Sequence, residues 1–209
     1  MRYEGMGNKG RYYFALSRLK IPSASIGRNC SIDDTVIIGK NVTIGDNVVI
    51  RGRVTIGNNC HIKSHACIGE KGFSFGFDEG GMPVAIRHAG GVRIGNNVEI
   101  GSFVSLCQST MEEVDTVLED NVKLDDNIHI AHNCHIGENT CFAAGCMLNG
   151  SVTVGRNCWI GLQVTLNKVK VGDNVLIGSG SMVTKDVPPD VVIAGNPAKI
   201  IRERRRVDD

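Results

Sequence analysis

The chain has 209 residues, of which 42% are hydrophobic and only 5% aromatic, and its formal net charge is +1 at pH 7. This near-neutral charge gives no overall field that would favour nucleic acid, and no apolar run is long enough to span a membrane. The length suits one domain with a single continuous core.

Residues 1–20 combine several basic side chains with a short apolar stretch at residues 12–16. That stretch is too short for the apolar region of a secretory signal, and no cleavage-type ending follows it. We therefore expect residues 1–22 to form a cap over one end of the repeat that follows.

Isoleucine then recurs every six residues from Ile26 to Ile68, with a small or β-branched residue two positions before each one. A period of six fits neither an α-helix nor an ordinary strand, and it is typical of a hexapeptide-repeat parallel β-helix. Each coil of that fold is a triangle of short strands with the aliphatic residues inside, and coils stack about 4.8 Å apart. Three hexads make a coil of 18 residues, so residues 18 apart should lie above one another.

The repeat resumes at Ile94 and continues to Val183, so we expect an all-β solenoid over residues 23–187. Glycine and asparagine are frequent after the aliphatic positions, which suits the corners where the chain turns. Five of the eight cysteines take the small inward position, where cysteine behaves as a small hydrophobe: Cys30, Cys60, Cys134, Cys146 and Cys158. Free thiols indicate a reducing compartment, so we expect a cytoplasmic location.

Three segments break the pattern: two lie within the repeat, and the third is the C-terminus from Ser179. The first, which we call the aromatic insertion (residues 70–91), contains Gly-Phe-Ser-Phe-Gly-Phe. A loop of this length in a compact repeat is usually functional or interfacial, so it either packs on a neighbouring subunit or contacts substrate. The second, the acidic bulge (residues 107–117), puts Glu112 where a core residue should be, and we expect it to project outward.

Half of the six histidines lie within residues 129–135. Their aliphatic neighbours take the core positions, so His129, His132 and His135 should point outward or lie at corners. A neutral imidazole can accept a proton near pH 7, which favours general-base chemistry. A zinc site and solvated histidines without a role are the alternatives.

Residues 124–133, Leu-Asp-Asp-Asn-Ile-His-Ile-Ala-His-Asn, closely resemble the active-site stretch of the lipid A pathway acyltransferases, which act on UDP-glucosamine derivatives. The likeness runs from about residue 68 to residue 161. It implies a left-handed β-helix that forms a homotrimer, active sites between subunits, and His132 as the catalytic base. One coil beyond His132 lies Gly150, whose N–H could hold an oxyanion, and the resemblance implies the same role. Asn133 would orient the imidazole or hold substrate.

Residues 178–202 resemble the closing segment of hexapeptide acetyltransferases that use acetyl-CoA. The resemblance implies acetyl-CoA as a co-substrate, with no tightly bound cofactor and no metal. Gly161, Gly178 and Ser179 would lie along the pantetheine arm, and Lys185 and Lys199 suit the phosphates of CoA. We expect residues 188–209 to form a tail with a short helix.

Together these features predict an acyltransferase that moves an acetyl or other short acyl group from CoA to an amino group of a sugar. The expected acceptor is a nucleotide-linked sugar for surface polysaccharide, contacted by His129, Asp126, Phe75 and Phe77. The alternatives are a long-chain N-acyltransferase that uses acyl carrier protein, a zinc-dependent hydratase like the γ-carbonic anhydrases, and a non-catalytic scaffold.

Overall fold

A computed structural model describes residues 24–205 of the chain. The cap expected at residues 1–22 lies outside the described residues. Most strands are only two residues long, because each side of a coil contributes one hexad and the chain turns directly afterwards. In chain order the strands are β1 Ser25–Ile26, β2 Ser31–Ile32, β3 Ile37–Ile38, β4 Thr43–Ile44, β5 Val49–Ile50, β6 Val54–Ile56, β7 His61–Ile62, β8 Cys67–Glu70, β9 Phe75–Phe77, β10 Pro83–Ala85, β11 Val92–Ile94, β12 Glu99–Ile100, β13 Ser105–Cys107, β14 Thr116–Leu118, β15 Lys123–Leu124, β16 His129–Ile130, β17 His135–Ile136, β18 Cys141–Phe142, β19 Met147–Leu148, β20 Thr153–Val154, β21 Trp159–Ile160, β22 Thr165–Leu166, β23 Lys170–Val171, β24 Leu176–Ile177, β25 Met182–Val183, β26 Val191–Gly195 and β27 Ala198–Glu203.

Three sheets form the faces of a triangular prism. The first sheet runs from β1 through β4 and β7 to β26, the second from β2 to β25, and the third from β3 to β23. We number the corners by the sheets they join: the first corner leads from the first sheet to the second, the second corner from the second sheet to the third, and the third corner back to the first. Neighbouring strands within a face are parallel, and Ser25 pairs with Thr43 one coil later.

The aliphatic residue of each hexad points into the prism, as the period predicts. Ile44, Ile50 and Ile56 belong to successive faces, and all three side chains are buried. Burying one such side chain contributes about 1.5–3 kcal/mol relative to leaving it in water. The column of stacked aliphatic residues is therefore the main source of stability, and it fixes which residues lie above one another.

Asparagine forms a column at the third corner. Asn41, Asn59 and Asn97 have φ angles of 56°, 57° and 56°, in the left-handed region that asparagine tolerates better than most residues. The side-chain amide of Asn41 donates to Asn59 Oδ1 at 3.1 Å, and that of Asn59 donates to Asn97 Oδ1 at 3.2 Å. The corners are thus tied from coil to coil by side chains as well as by the backbone.

The cysteines are all free thiols. Burial raises the pKa of Cys134 to about 12 and that of Cys146 to about 11. Because the thiolate is the reactive form of cysteine, these inward side chains serve as small apolar core residues.

Both interruptions of the repeat leave the prism at the second corner. The aromatic insertion departs after β8 and returns at β11, and its strands β9 and β10 form an antiparallel hairpin. The acidic bulge lies between β13 and β14. Because of it, Val92 pairs with Thr116 and not with the residue 18 positions later that a regular coil would place there. The extra hexad is accommodated outside the core, and Glu112 is exposed.

The expectation of a C-terminal helix is wrong. Strand β26 pairs with β24, and β27 folds back antiparallel to β26, so the end of the described chain extends the first sheet. The run Val191-Val192-Ile193 is β-branched, which favours a strand, and Pro197 lies in the turn that follows. No helix is found between residues 24 and 205, and so none that would be long and apolar enough to cross a membrane.

Replacing a core isoleucine should destabilise the fold far more than replacing an outward one. Ile62→Ala removes a side chain with no exposed surface and should lower the free energy of unfolding by about 2–5 kcal/mol, measured by urea denaturation. Ile37→Ala makes the same chemical change at a side chain that is 64% exposed, and should cost less than about 0.5 kcal/mol. Equal losses in the two variants would contradict the inward assignment.

Candidate active site

The second corner gathers the features that depart from a plain repeat. The aromatic insertion and the acidic bulge both project from it. In the coils beyond them the same corner carries His132, Gly150, Lys168 and Lys185. Because the coils stack, these residues form one column along the prism although they lie far apart in the chain.

His132 lies against the backbone of the next coil. Its carbonyl oxygen accepts a hydrogen bond from Ser151 N at 2.9 Å. A Cβ atom added to Gly150 would lie 2.6 Å from Nε2 of His132, closer than real side chains approach one another. Glycine is therefore required at position 150 for the imidazole to occupy this place. The stacking of these two residues is the one that a coil of 18 residues predicts.

The surroundings of His132 favour its neutral form. Burial is the main reason that its pKa lies below the ordinary value, and neighbouring His88 and Lys168 act in the same direction. Its Nδ1 atom is buried and has no hydrogen-bond partner among residues 24–205. A neutral imidazole at the surface of a corner is suited to accepting a proton from a bound molecule.

His88, in the aromatic insertion, is a neighbour of His132 that sequence reasoning missed. The two rings meet edge to face, with centroids 5.6 Å apart and an interplanar angle of 80°. His88 is buried, its Nε2 accepts a hydrogen bond from Gly72 N at 3.2 Å, and its Nδ1 lies 3.1 Å from the carbonyl oxygen of Ile86. The spacing of the repeat could not predict this contact, because the residues of the insertion do not follow the six-residue period.

Asn133 anchors the acidic bulge beside the imidazole. Its Oδ1 accepts hydrogen bonds from Ser109 Oγ at 2.6 Å and from Thr110 N at 2.8 Å, while its own N–H donates to Thr116 Oγ1 at 3.0 Å. The side chain thus hydrogen-bonds to the acidic bulge. A direct part for Asn133 in catalysis stays a prediction.

The other histidines of the cluster lie on different faces. His129 projects from the second sheet between Ser105 and Met147, and burial lowers its pKa. His135 projects from the third sheet, where its Nε2 lies 2.7 Å from Glu119 Oε1. Within the described part of the chain, no three His, Cys, Asp or Glu side chains are placed to hold a metal ion.

Asp126 lies on the first corner, away from His132. Its Oδ1 accepts hydrogen bonds from Ser102 N at 2.7 Å and from Lys63 Nζ at 3.1 Å, and these two bonds lower the pKa of the carboxyl group. One chain does not bring Asp126 and the imidazole together. Contact of Asp126 with the same substrate would need the first corner of a second subunit.

Two models of known protein families match the repeat of this chain. The family model for the bacterial transferase hexapeptide (six repeats) matches residues 35–70 and 115–150, and the model for the hexapeptide repeat of succinyl-transferase matches residues 151–185. The chain belongs to the hexapeptide-repeat transferases. Together the matches cover about half of it.

Individual relatives of this hexapeptide-repeat chain are sugar acyltransferases by name. It is 53% identical over 60 residues to a galactoside O-acetyltransferase of Escherichia coli, covering 28% of this chain and 30% of that one. It is 40% identical over 121 residues to a UDP-3-O-acylglucosamine N-acyltransferase of Janthinobacterium, covering 57% of this chain and 34% of that one. The chain therefore spans about a third of the length of these relatives.

Solved structures support the fold assignment. The UDP-N-acetylglucosamine acyltransferase of Campylobacter jejuni superposes with a TM-score of 0.72 at 28% identity, over 85% of this chain and 69% of that one. The hexapeptide repeat here accordingly forms the left-handed parallel β-helix that the sequence resemblance implies.

The residues expected to bind CoA are spread over the hexapeptide-repeat fold. Lys185 lies on the second corner, as His132 does, whereas Gly161, Gly178 and Ser179 lie on the first corner and Lys199 on β27. Ser179 Oγ accepts a hydrogen bond from Leu162 N at 3.1 Å, and a Cβ atom on Gly161 would lie 2.7 Å from Ser179 N. Close coil stacking by itself therefore explains the small residue at position 161.

The phenylalanines of the aromatic insertion lie largely in solvent in the single chain. Phe73 and Phe77 are 91% and 76% exposed, and Phe75 is 43% exposed. The rings of Phe73 and Phe75 pack at a centroid distance of 4.8 Å. An apolar group of this kind favours a contact with a ligand or another chain over solvent.

A pH titration should detect the lowered pKa of the His132 imidazole. By nuclear magnetic resonance with ¹³C-labelled histidine, the pKa of His132 should lie below about 6.5, the ordinary value for histidine. Between the folded and unfolded pKa values the unfolded chain binds more protons, so His132 lowers stability as the pH falls through this interval. The spectrum of His132→Gln assigns the signal, and the urea-unfolded protein gives the reference value. A folded value above the reference would contradict the described burial of His132.

Proposed function

We propose that this hexapeptide-repeat chain is an acyltransferase that moves an acetyl or other short acyl group from CoA to an amino group of a nucleotide-linked sugar. The observation that carries the proposal is the packing of the His132 imidazole, whose pKa is lowered by burial, against the backbone of Gly150 at the corner where the aromatic insertion leaves the prism. The names of the relatives, a galactoside O-acetyltransferase and a UDP-3-O-acylglucosamine N-acyltransferase, support the same class of reaction.

In the proposed reaction His132 acts as the general base. Its Nε2 removes a proton from the acceptor amine while the nitrogen attacks the thioester carbonyl carbon. The tetrahedral intermediate then collapses, the carbon–sulfur bond breaks, and the proton on His132 passes to the departing CoA thiolate. Because transfer is direct, holding the two substrates in contact supplies much of the rate gain.

Gly150 N–H is the proposed donor to the oxyanion. The amides on either side are engaged, since Asn149 N donates to Leu166 O and Ser151 N donates to His132 O. Among residues 24–205, the N–H of Gly150 has no hydrogen-bond partner. A fixed, unengaged N–H beside the base is suited to stabilising negative charge that develops only in the transition state.

The proposed donor site lies between subunits. Lys168 and Lys185 continue the corner of His132 and provide positive charge for the phosphates of CoA. Gly161, Gly178 and Ser179, on the first corner, would face the pantetheine arm from a neighbouring subunit. The same arrangement would bring Asp126 of one subunit toward His132 of another, which favours a homotrimer over a single active chain.

Removing the base should abolish most of the activity. His132→Ala should lower kcat by roughly 10²–10⁴-fold, the usual contribution of general-base catalysis, in a thiol-release assay with a panel of nucleotide amino sugars. His135→Ala is the matched control, because His135 lies on the third sheet and pairs with Glu119. Activity of the His132 variant within a few fold of the wild type would overturn the assignment.

Acetyl-CoA should stabilise the folded protein. A ligand that binds only the native state adds about 2.7 kcal/mol at 100 times its Kd, which a thermal unfolding scan detects as a higher Tm. Lys185→Ala should weaken the shift, whereas Lys40→Ala, on the third corner, should leave it unchanged. No shift with acetyl-CoA, combined with turnover from acyl carrier protein, would favour the long-chain alternative.

That alternative has two observations in its favour. The exposed phenylalanines of the aromatic insertion provide an apolar surface that a short acyl group does not need. A long acyl chain delivered by an acidic carrier protein would occupy it, and the match to an N-acyltransferase extends over 57% of the chain.

Shortening the aromatic insertion tests whether it contacts a substrate or only packs against protein. Replacing residues 74–85 with a short glycine-serine linker keeps Gly72 and His88 in place. If the rings contact a substrate, the KM should rise or kcat fall by about 10-fold, equivalent to about 1.4 kcal/mol of lost interaction. Phe73→Ser with Phe77→Ser tests the rings alone in an intact hairpin. Unaltered kinetics with lower thermal stability would leave only a packing role.

A further inference from the structure

His88 ties together the two ends of the aromatic insertion. Gly72, near the start of the insertion, donates its N–H to Nε2, and the Nδ1–H of His88 donates to the carbonyl oxygen of Ile86. Both ring nitrogens are thus occupied in one neutral tautomer, with the proton on Nδ1. His88 is buried, so the ring has a fixed position at the root of the hairpin formed by β9 and β10.

The same ring supports the imidazole of His132. A catalytic histidine is usually oriented by a hydrogen bond from its second ring nitrogen to a carboxylate or carbonyl. Within the described residues, Nδ1 of His132 has no such partner although it is buried. Among the described residues, the ring is therefore positioned by packing. The contacts that supply it are the backbone of Gly150 and the edge-to-face ring of His88, 5.6 Å away.

We infer that His88 is a positioning residue for the reaction: its ring holds the imidazole of His132 in the orientation required for proton removal, while its two hydrogen bonds couple that orientation to the aromatic insertion. This inference rests on the proposed function, in which His132 is the base. It assigns His88 no contact with the reacting atoms. It also gives the insertion a connection to the chemistry that does not depend on which substrate the phenylalanines touch.

Two substitutions separate the ring of His88 from its hydrogen bonds. His88→Gln keeps a donor and an acceptor for the backbone of Ile86 and Gly72 but removes the ring. His88→Phe keeps a ring of similar size and removes both hydrogen bonds. His61→Gln is the control, because His61 is an exposed histidine on the first sheet.

Loss of the His88 ring should lower kcat more than loss of its two hydrogen bonds. In His88→Gln we expect kcat to fall by about 10–100-fold, the cost of misplacing a reacting group by about 1 Å, with the KM of the donor nearly unchanged. His88→Phe should keep kcat within a few fold of the wild type, while amide hydrogen exchange in residues 72–88 becomes faster. The control should match the wild type in every measurement.

A titration without substrate tests the inference independently of the proposed function. The titratable groups that face His132 are His88 from the insertion and Lys168 from the coil beyond Gly150. By nuclear magnetic resonance, the pKa of His132 should rise in His88→Gln, because water reaches the space that the ring filled, and should stay near the wild-type value in His88→Phe.

If the wild type transfers no acyl group, the proposed function fails while this measurement still shows whether His88 fixes the surroundings of His132. A His88→Gln protein with unchanged kcat and an unchanged pKa of His132 would overturn the inference, and so would a folded His88→Phe protein that behaves like His88→Gln.

Discussion

Close stacking of coils around an aliphatic core is the constraint on which the rest of this structure depends. Two inward residues per hexad fill the prism, an aliphatic one and a smaller one two positions before it, and burial of these side chains fixes each strand above its counterpart in the previous coil. A slip of one residue would turn inward side chains outward, so the register tolerates almost no variation. Each corner consequently becomes a column in which every residue has a defined neighbour above and below.

This constraint also decides where the chain can vary. Extra residues cannot enter the prism, so they leave it at a corner, and both interruptions use the second one. The acidic bulge is held there by Asn133, and the aromatic insertion is held by His88. The aromatic insertion therefore contacts His132 through His88, the acidic bulge is bound to the adjacent Asn133, and the next coil contacts the imidazole through Gly150.

The imidazole of His132 illustrates how a rigid repeat sets the surroundings of one side chain. Partial burial lowers its pKa, which favours the neutral imidazole and costs stability at acidic pH. No protein acceptor among the described residues engages Nδ1, so packing replaces the hydrogen bond that orients many catalytic histidines. Glycine at position 150 makes this packing possible, because any side chain there would collide with the ring.

The amino-acid sequence by itself determined the prism, its core and the stacking of His132 on Gly150, because all three follow from a period of six residues and coils of 18. It also located the two interruptions, since a break in a strict period is visible without coordinates. Only the tertiary structure showed which residues the two interruptions contact. The contact of His88 with His132, the bonds from Asn133 to Ser109 and Thr110, and the strand in place of a C-terminal helix all involve segments outside the period. In those segments the partner of a residue is set by packing between distant parts of the chain, and spacing along the sequence carries no information about it.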